Sequence, residues 1–218
     1  TKPMVKLLVQ ISCGLLLWYG GAVLNITQYG WINGIATIFW VVLLMNSLNM
    51  LDNMDGITGM VCFCIILICQ CSLLFHNGFT YSIWLVLNFA ILGGLLGFLF
   101  HNVHPSKLFM GDAGSQFIGF YVAFMSITCI FNAEQIDVMT AINWKGLTLI
   151  AIAFAIPFAD TLSVVINRLG RGQSPMVGGK DHTTHHLVYK GWKDRDVWFI
   201  FLTLSIIGSV LTILYMVY

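Results

Sequence analysis

Within residues 80–100 the chain reads Ile83-Trp84-Leu85-Val86-Leu87-Asn88-Phe89-Ala90-Ile91-Leu92-Gly93-Gly94-Leu95-Leu96-Gly97-Phe98-Leu99-Phe100, with no charged side chain. A run of this kind suits a helix crossing the hydrocarbon core, which takes about 20 apolar residues. Its glycines suit close helix packing in lipid. Working outward, six more runs of this kind follow, so the candidate spans are 6–24, 33–51, 57–75, 80–100, 113–131, 146–169 and 196–217. The composition agrees: of 218 residues 58% are hydrophobic and only 9% charged, where soluble domains carry about a quarter charged residues. The chain therefore reads as an all-α, polytopic transmembrane helix bundle of about seven spans. It forms a single membrane domain over 1–218, with no internal repeat and no soluble domain.

The formal net charge of +1 gives no basic surface for nucleic acid and no acidic tail. Cys13, Cys62, Cys64, Cys69, Cys71 and Cys129 all fall inside apolar runs and read as small buried hydrophobes. They form neither a disulfide framework nor a thiolate metal site.

Seven spans fix which connections share a side. The N-terminus and loops 50–56, 101–112 and 170–195 fall on one face. Loops 25–32, 76–79 and 132–145 fall on the other, with the C-terminus. Lys2, Lys6, Lys107, Arg168, Arg171, Lys180, Lys190, Lys193 and Arg195 are on the first face, and only Lys145 is on the second. The excess of cations predicts that the first face is cytoplasmic. The candidate chemistry collects there too, whereas His76, Glu134 and Asp137 form no cluster on the other side.

Three motifs carry that chemistry. In Asn49-Met50-Leu51-Asp52-Asn53-Met54-Asp55-Gly56, the residues Asn49, Asp52 and Asp55 recur every three positions, which puts them on one face if the helix continues. Two carboxylates at a membrane boundary can hold Mg²⁺ or position a base; capping of a helix end that breaks at Gly56 explains the same residues. The second motif runs from Asn102 through His104, Pro105 and Lys107 to Gly111-Asp112-Ala113-Gly114-Ser115, where a span begins. A helix N-terminus suits phosphate, Asp112 offers oxygen to a hard cation, and Lys107 can neutralise phosphate. An Asp cap would account for Asp112 alone.

The third motif, Lys180-Asp181-His182-Thr183-Thr184-His185-His186, puts three of the six histidines within five residues. Zinc ligation is one reading, but no cysteine supports it. Phosphate binding beside Lys180, Arg168 and Arg171 fits better, and a solvated polar loop is the plain alternative. Asp160, after Pro157, is an ionisable group deep in a span and so a candidate for either function or structural hydrogen bonding.

Together, in this order and on one side, the motifs resemble the polyprenyl-phosphate N-acetylhexosamine-1-phosphate transferases, over about residues 33–195. Phe109-Met110-Gly111-Asp112-Ala113-Gly114-Ser115 is the most specific phrase, and Asn49 to Gly56 is similar to the family's Asn-x-x-Asp-Gly-x-Asp-Gly. The resemblance implies transfer of a sugar-1-phosphate, N-acetylglucosamine-1-phosphate by preference, from a UDP-sugar to undecaprenyl phosphate with release of UMP. The setting would be the inner or plasma membrane, with Mg²⁺ or Mn²⁺ as cofactor and Asp112 as metal ligand. It implies a catalytic set of Asp52, Asp55, Asp112, His182, His185 and His186. Substrate would be bound by Asn49, Asn102, Lys107, Gly111, Gly114, Ser115, Arg171 and Lys180. The partners implied are the UDP-sugar, the polyprenyl lipid, the membrane and optionally a second copy, with no nucleic acid.

Three departures qualify the resemblance. Asn53 stands where the family has Gly, and the histidines read His-x-x-His-His rather than three in a row, which favours an N-acetylglucosamine donor over a muramoyl-pentapeptide one. No carboxylate precedes Asp52, whereas the family carries an upstream Asp-Asp pair. On that basis the chain reads as N-terminally incomplete. The competing readings are a noncatalytic homologue and a transporter, but a transporter would gather its polar groups near mid-membrane.

Overall fold

The structure, a computed structural model, describes residues 3–77, 82–133, 142–173 and 182–218. Glu134, Asp137, Lys180 and Asp181 lie outside the described residues. The described elements are all helical: α1 (Pro3–Tyr19), α2 (Gly30–Leu51), α3 (Ile57–Asn77), α4 (Ile83–Asn102), α5 (Gly111–Ser126, running on through a π-helical turn Ile127–Phe131), α6 (Trp144–Ala153), α7 (Ala155–Gly170), α8 (Thr183–Tyr189) and α9 (Asp194–Val217). Helices satisfy their own backbone polar groups, which lipid cannot do.

Five of them (α2, α3, α4, α5 with its π turn, and α9) are long and apolar enough to cross a membrane. The protein is a multi-pass membrane protein. Two of the seven expected spans differ from the rest. Helix α1 is apolar but only 17 residues long. The run 146–169 is not one rod: α6 and α7 meet at 76°. Pro157 sits in the first turn of α7 and has no N–H to give to the carbonyl of Ala153, so the α6 ladder cannot continue through it. The break is packed rather than open. Phe154 is fully buried between Trp40, with centroids 5.2 Å apart and edge-to-face, and Phe158 at 5.9 Å. The Trp40 indole N–H donates to Ser126 Oγ at 3.0 Å.

Helices α2, α3 and α5 form the centre. The span of α3 is 72% buried, against 22% for α4 and for α9, so those two present most of their surface to lipid. Small residues bring the central helices together. A Cβ on Gly119 of α5 would lie 2.9 Å from the Cα of Met45 in α2, and one on Gly14 of α1 would lie 2.7 Å from the Cα of Ile38. At both crossings backbone meets backbone, which is the packing that small residues permit in membranes.

The two ends differ in chemistry. At one end asparagines bridge the connections: Asn25 N–H donates to Asn132 Oδ1 at 3.2 Å, Asn132 Nδ2 to the Val23 carbonyl at 2.7 Å, and Asn143 Nδ2 to that of Phe131 at 3.2 Å. At the other end meet the start of α1, the α2–α3 and α4–α5 loops, the end of α7, α8 and the start of α9. For the described parts of the connections, the sorting by span parity therefore holds.

Candidate active site

The site grows from the N-terminus of α5. Gly111 adopts φ +65°, a backbone state that a Cβ disfavours, and turns the loop into the helix. Asp112 follows in the first turn, exposed and at the positive end of the helix dipole. Asn49, two residues before the end of α2, spans the gap. Its Nδ2 donates to Asp112 Oδ1 at 3.1 Å and to Ser115 Oγ at 2.8 Å. Its Oδ1 accepts from the Lys6 ammonium of α1. Ser115 is fully buried, and its hydroxyl also reaches the Gly111 carbonyl at 3.1 Å. Ser115 thereby braces Asn49 and the first turn of α5. The sequence pattern marks Lys6 only as a cation of this face. The signal that could have singled it out was its place one turn before Gln10 in an otherwise apolar run.

Asp52 does not continue the face of Asn49 as the three-residue spacing suggested. Helix α2 ends at Leu51, and Asp52 caps it with φ −75°, ψ 54°. Its carboxyl is half-buried, and burial first, then the nearby charge of Asp112, pushes its pKa up to about 6. Asp52 and Asp112 are thus two carboxylates close enough to repel. Among the described residues no group of three His, Cys, Asp or Glu could hold a metal ion. This donor set fits Mg²⁺, which takes one or two carboxylates and leaves other positions to water and phosphate oxygens, better than zinc.

Asp55 turns the other way. Its Oδ2 lies 3.1 Å from His104 Nδ1 and accepts from Ser106 N at 3.2 Å, and Asp194 at the start of α9 is 3.9 Å from the same imidazole nitrogen. Asp55 thus ties the α2–α3 loop to the α4–α5 loop. Asn102 is buried and makes the parallel tie: Oδ1 accepts from Gly56 N at 3.0 Å and Nδ2 donates to the Leu108 carbonyl at 2.7 Å. Lys107 is exposed at the rim. Gly114 sits so close under Met110 that a Cβ would meet its Cγ at 2.7 Å.

The histidines come from the opposite flank. His182 is buried, with Nδ1 2.9 Å from Asp160 Oδ2, while Thr183 N donates to Asp160 Oδ1 at 2.8 Å. Thr184 Oγ1 donates to Asn53 Oδ1 at 2.5 Å, which docks α8 on the α2–α3 loop. His185 and His186 are half-buried on α8, with the His185 ring 6.1 Å from that of His182. Arg171 is exposed just past α7. Lys180 lies outside the described residues. The site thus joins Lys6, Asn49, Asp52 and Asp112 at its centre, with Asp55 and Asn102 in the wall and His182 on the far flank.

Glycosyl transferase family 4 matches residues 1–130, more than half of the chain. This chain belongs to that family. Among its relatives, a probable undecaprenyl-phosphate N-acetylglucosaminyl 1-phosphate transferase of Bacillus subtilis is 26% identical over 200 residues, covering 88% of this chain and 53% of that protein. A decaprenyl-phosphate N-acetylglucosaminephosphotransferase of Mycolicibacterium smegmatis is 30% identical over 192 residues, 82% of this chain and 47% of that protein. A phospho-N-acetylmuramoyl-pentapeptide-transferase of Helicobacter hepaticus is 28% identical over 200 residues, 84% of this chain and 51% of that protein. The chain spans about half the length of the curated relatives it matches.

Proposed function

We propose that the protein transfers N-acetylglucosamine-1-phosphate from its UDP-sugar to a polyprenyl phosphate, undecaprenyl phosphate in the first instance, at the cytoplasmic face of the inner or plasma membrane. The observation that carries this reading is the tie of the exposed Asp112 carboxylate, at the start of α5, to Asn49 near the end of α2, with half-buried Asp52 capping that same helix at the membrane boundary. A lipid phosphate reaches a protein at that depth.

In the reaction an oxygen of the lipid phosphate attacks the β-phosphorus of the UDP-sugar. The bond from that phosphorus to the bridging oxygen breaks, and UMP leaves with the bridging oxygen. Asp52 and Asp112 would hold Mg²⁺ or Mn²⁺, which supplies charge neutralisation to the diphosphate. Lys6, through Asn49, keeps the Asp112 carboxylate oriented. His182 and the α8 histidines, with Lys107 and Arg171 at the rim, supply further donors for phosphate oxygens. Transfer of this kind depends on positioning and electrostatics rather than on covalent chemistry by the protein.

The His182-x-x-His185-His186 pattern favours the N-acetylglucosamine donor; the muramoyl-pentapeptide donor is the second reading, since relatives of both names match. The test is UMP release by the protein expressed from its complete gene, in detergent. The assay supplies UDP-N-acetylglucosamine, undecaprenyl phosphate and Mg²⁺. Release that requires lipid and metal together supports the reading; release with the pentapeptide donor alone supports the second. A folded protein that releases UMP from neither is not this transferase.

A further inference from the structure

Directly beneath the Lys6–Asn49–Asp112 layer lies a second polar layer inside the bundle. Gln10, Asn46 and Gln116 come from the same three helices, each one helical turn deeper than its partner above: Gln10 four residues after Lys6, Asn46 three before Asn49, Gln116 four after Asp112. The three amides interlock. Gln10 Nε2 donates to Gln116 Oε1 at 2.8 Å and to Asn46 Oδ1 at 3.1 Å. Asn46 Nδ2 donates back to Gln10 Oε1 at 2.8 Å and to the Val42 carbonyl at 2.8 Å. Gln116 Nε2 donates to the Met45 carbonyl at 3.0 Å. Gln10, the hub, is 1% exposed.

Apolar side chains slide past one another at little cost, so Leu-on-Leu contacts leave the axial register of packed helices loosely set. A closed amide network does not slide, because a shift of one helix leaves donors and acceptors unpaired where no water replaces them. We infer that the Gln10–Asn46–Gln116 layer fixes the register of α1, α2 and α5, and that Gln10 is thereby a positioning residue for the transfer reaction. It acts through the alignment of Lys6, Asn49 and Asp112 and touches no substrate itself. The inference rests on the transferase reading for its kinetic readout.

The test compares Gln10→Met with Gln10→Met/Gln116→Met in the protein expressed from its complete gene. The single change strands the amides of Asn46 and Gln116 and lowers the thermal midpoint in detergent. The double change removes the stranded Gln116 amide as well, leaves Asn46 as the one amide of the layer without its partner, and restores part of the midpoint. A layer that served stability alone would restore turnover along with it. A layer that sets register leaves kcat for UMP release about 100-fold low while the KM for the UDP-sugar stays near wild type, since misplacement of about 1 Å costs that much. Wild-type kcat in the refolded double variant overturns the inference.

If the double variant does not fold, Gln116→Asn retains the amide but is too short to reach both Gln10 and the Met45 carbonyl. It is expected to show the same loss of kcat, and wild-type kcat there overturns the inference equally. A wild-type protein that releases no UMP would sink the transferase reading instead. The register is then read without activity, by cross-linking Lys6→Cys to Asn49→Cys with a short thiol reagent after replacement of the native cysteines. Cross-linking should be lost in the Gln10→Met/Gln116→Met background, and its persistence counts against the inference.

Discussion

The carboxylate of Asp160 lies 2.9 Å from Nδ1 of His182, and the two side chains are almost wholly shielded from solvent. The carboxylate accepts from Thr183 N as well, so both of its oxygens are engaged. Asp160 stands on α7 beyond the bend, and His182 opens α8. This contact therefore decides where the histidine segment rests against the bundle. An imidazole that gives its Nδ1 proton to a carboxylate presents Nε2 in a fixed direction, the arrangement by which second-layer carboxylates orient histidines.

Replacing Asp160 with Ala leaves His182 Nδ1 and Thr183 N without their acceptor and is expected to cost about 1–3 kcal/mol for each buried group. Asp160→Asn keeps an acceptor for Thr183 N and should fold, while UMP release falls because the amide NH2 donates to His182 Nδ1 and so holds the ring in the other tautomer. Thermal unfolding in detergent beside the turnover assay separates the two. Full activity in Asp160→Asn would show that the orientation of His182 is immaterial.

Asp112→Asn should abolish metal-dependent UMP release, by about 100-fold or more, without loss of fold. The side chain is exposed, and an Asn there still accepts from Asn49 Nδ2. A variant that unfolds would mark Asp112 as structural, and one with normal turnover would exclude it from the reaction.

Asp52 sets a pH dependence. Its pKa stands near 6, above the ordinary carboxylate range, so it is half protonated near pH 6 and ionised above it. A protonated carboxyl does not ligate a cation, so apparent Mg²⁺ affinity should rise as pH increases through 6 and then level off. In the metal-free protein the sign reverses: the folded state holds the proton more tightly than the unfolded, so this group's contribution to stability declines as pH rises from about 4 to about 6. Titrating Mg²⁺ in the UMP assay at pH 5, 6 and 7 checks the first, and Asp52→Asn should remove the inflection.

Asn102→Ala should act on stability before catalysis. It leaves the buried Gly56 N–H without its partner, at about 1–3 kcal/mol, and releases the Leu108 carbonyl as well. A thermal midpoint unchanged from wild type would show that the two loops hold together without it.

The helical architecture and the sharing of one end by the polar motifs were open to reading, because apolar length and the placement of cations depend on composition alone. The bend at Phe154 was not, since residues 146–159 read as one apolar run leading to Asp160 and Pro157 was the only mark of a break. The roles of Asp55 and Ser115 were hidden for a different reason. Spacing suggests which residues share a face only while a helix lasts, and α2 stops at Leu51, so Asp55 turns to His104 while Asn49 turns to Asp112. Lys6 acquires its place from a contact forty-three residues away, which no local pattern carries.

The crossing of α2 and α5 at Gly119 has a consequence for how the protein meets changing lipid. Gly119 lies two turns below Asp112, and there the helices touch without side chains between them to compress or rearrange. The compliant surfaces are the outward faces of α4 and α9. When bilayer fluidity changes with temperature or lipid composition, those outer helices should yield first. The spacing of the acidic pair at the centre should then be among the last dimensions of the molecule to alter.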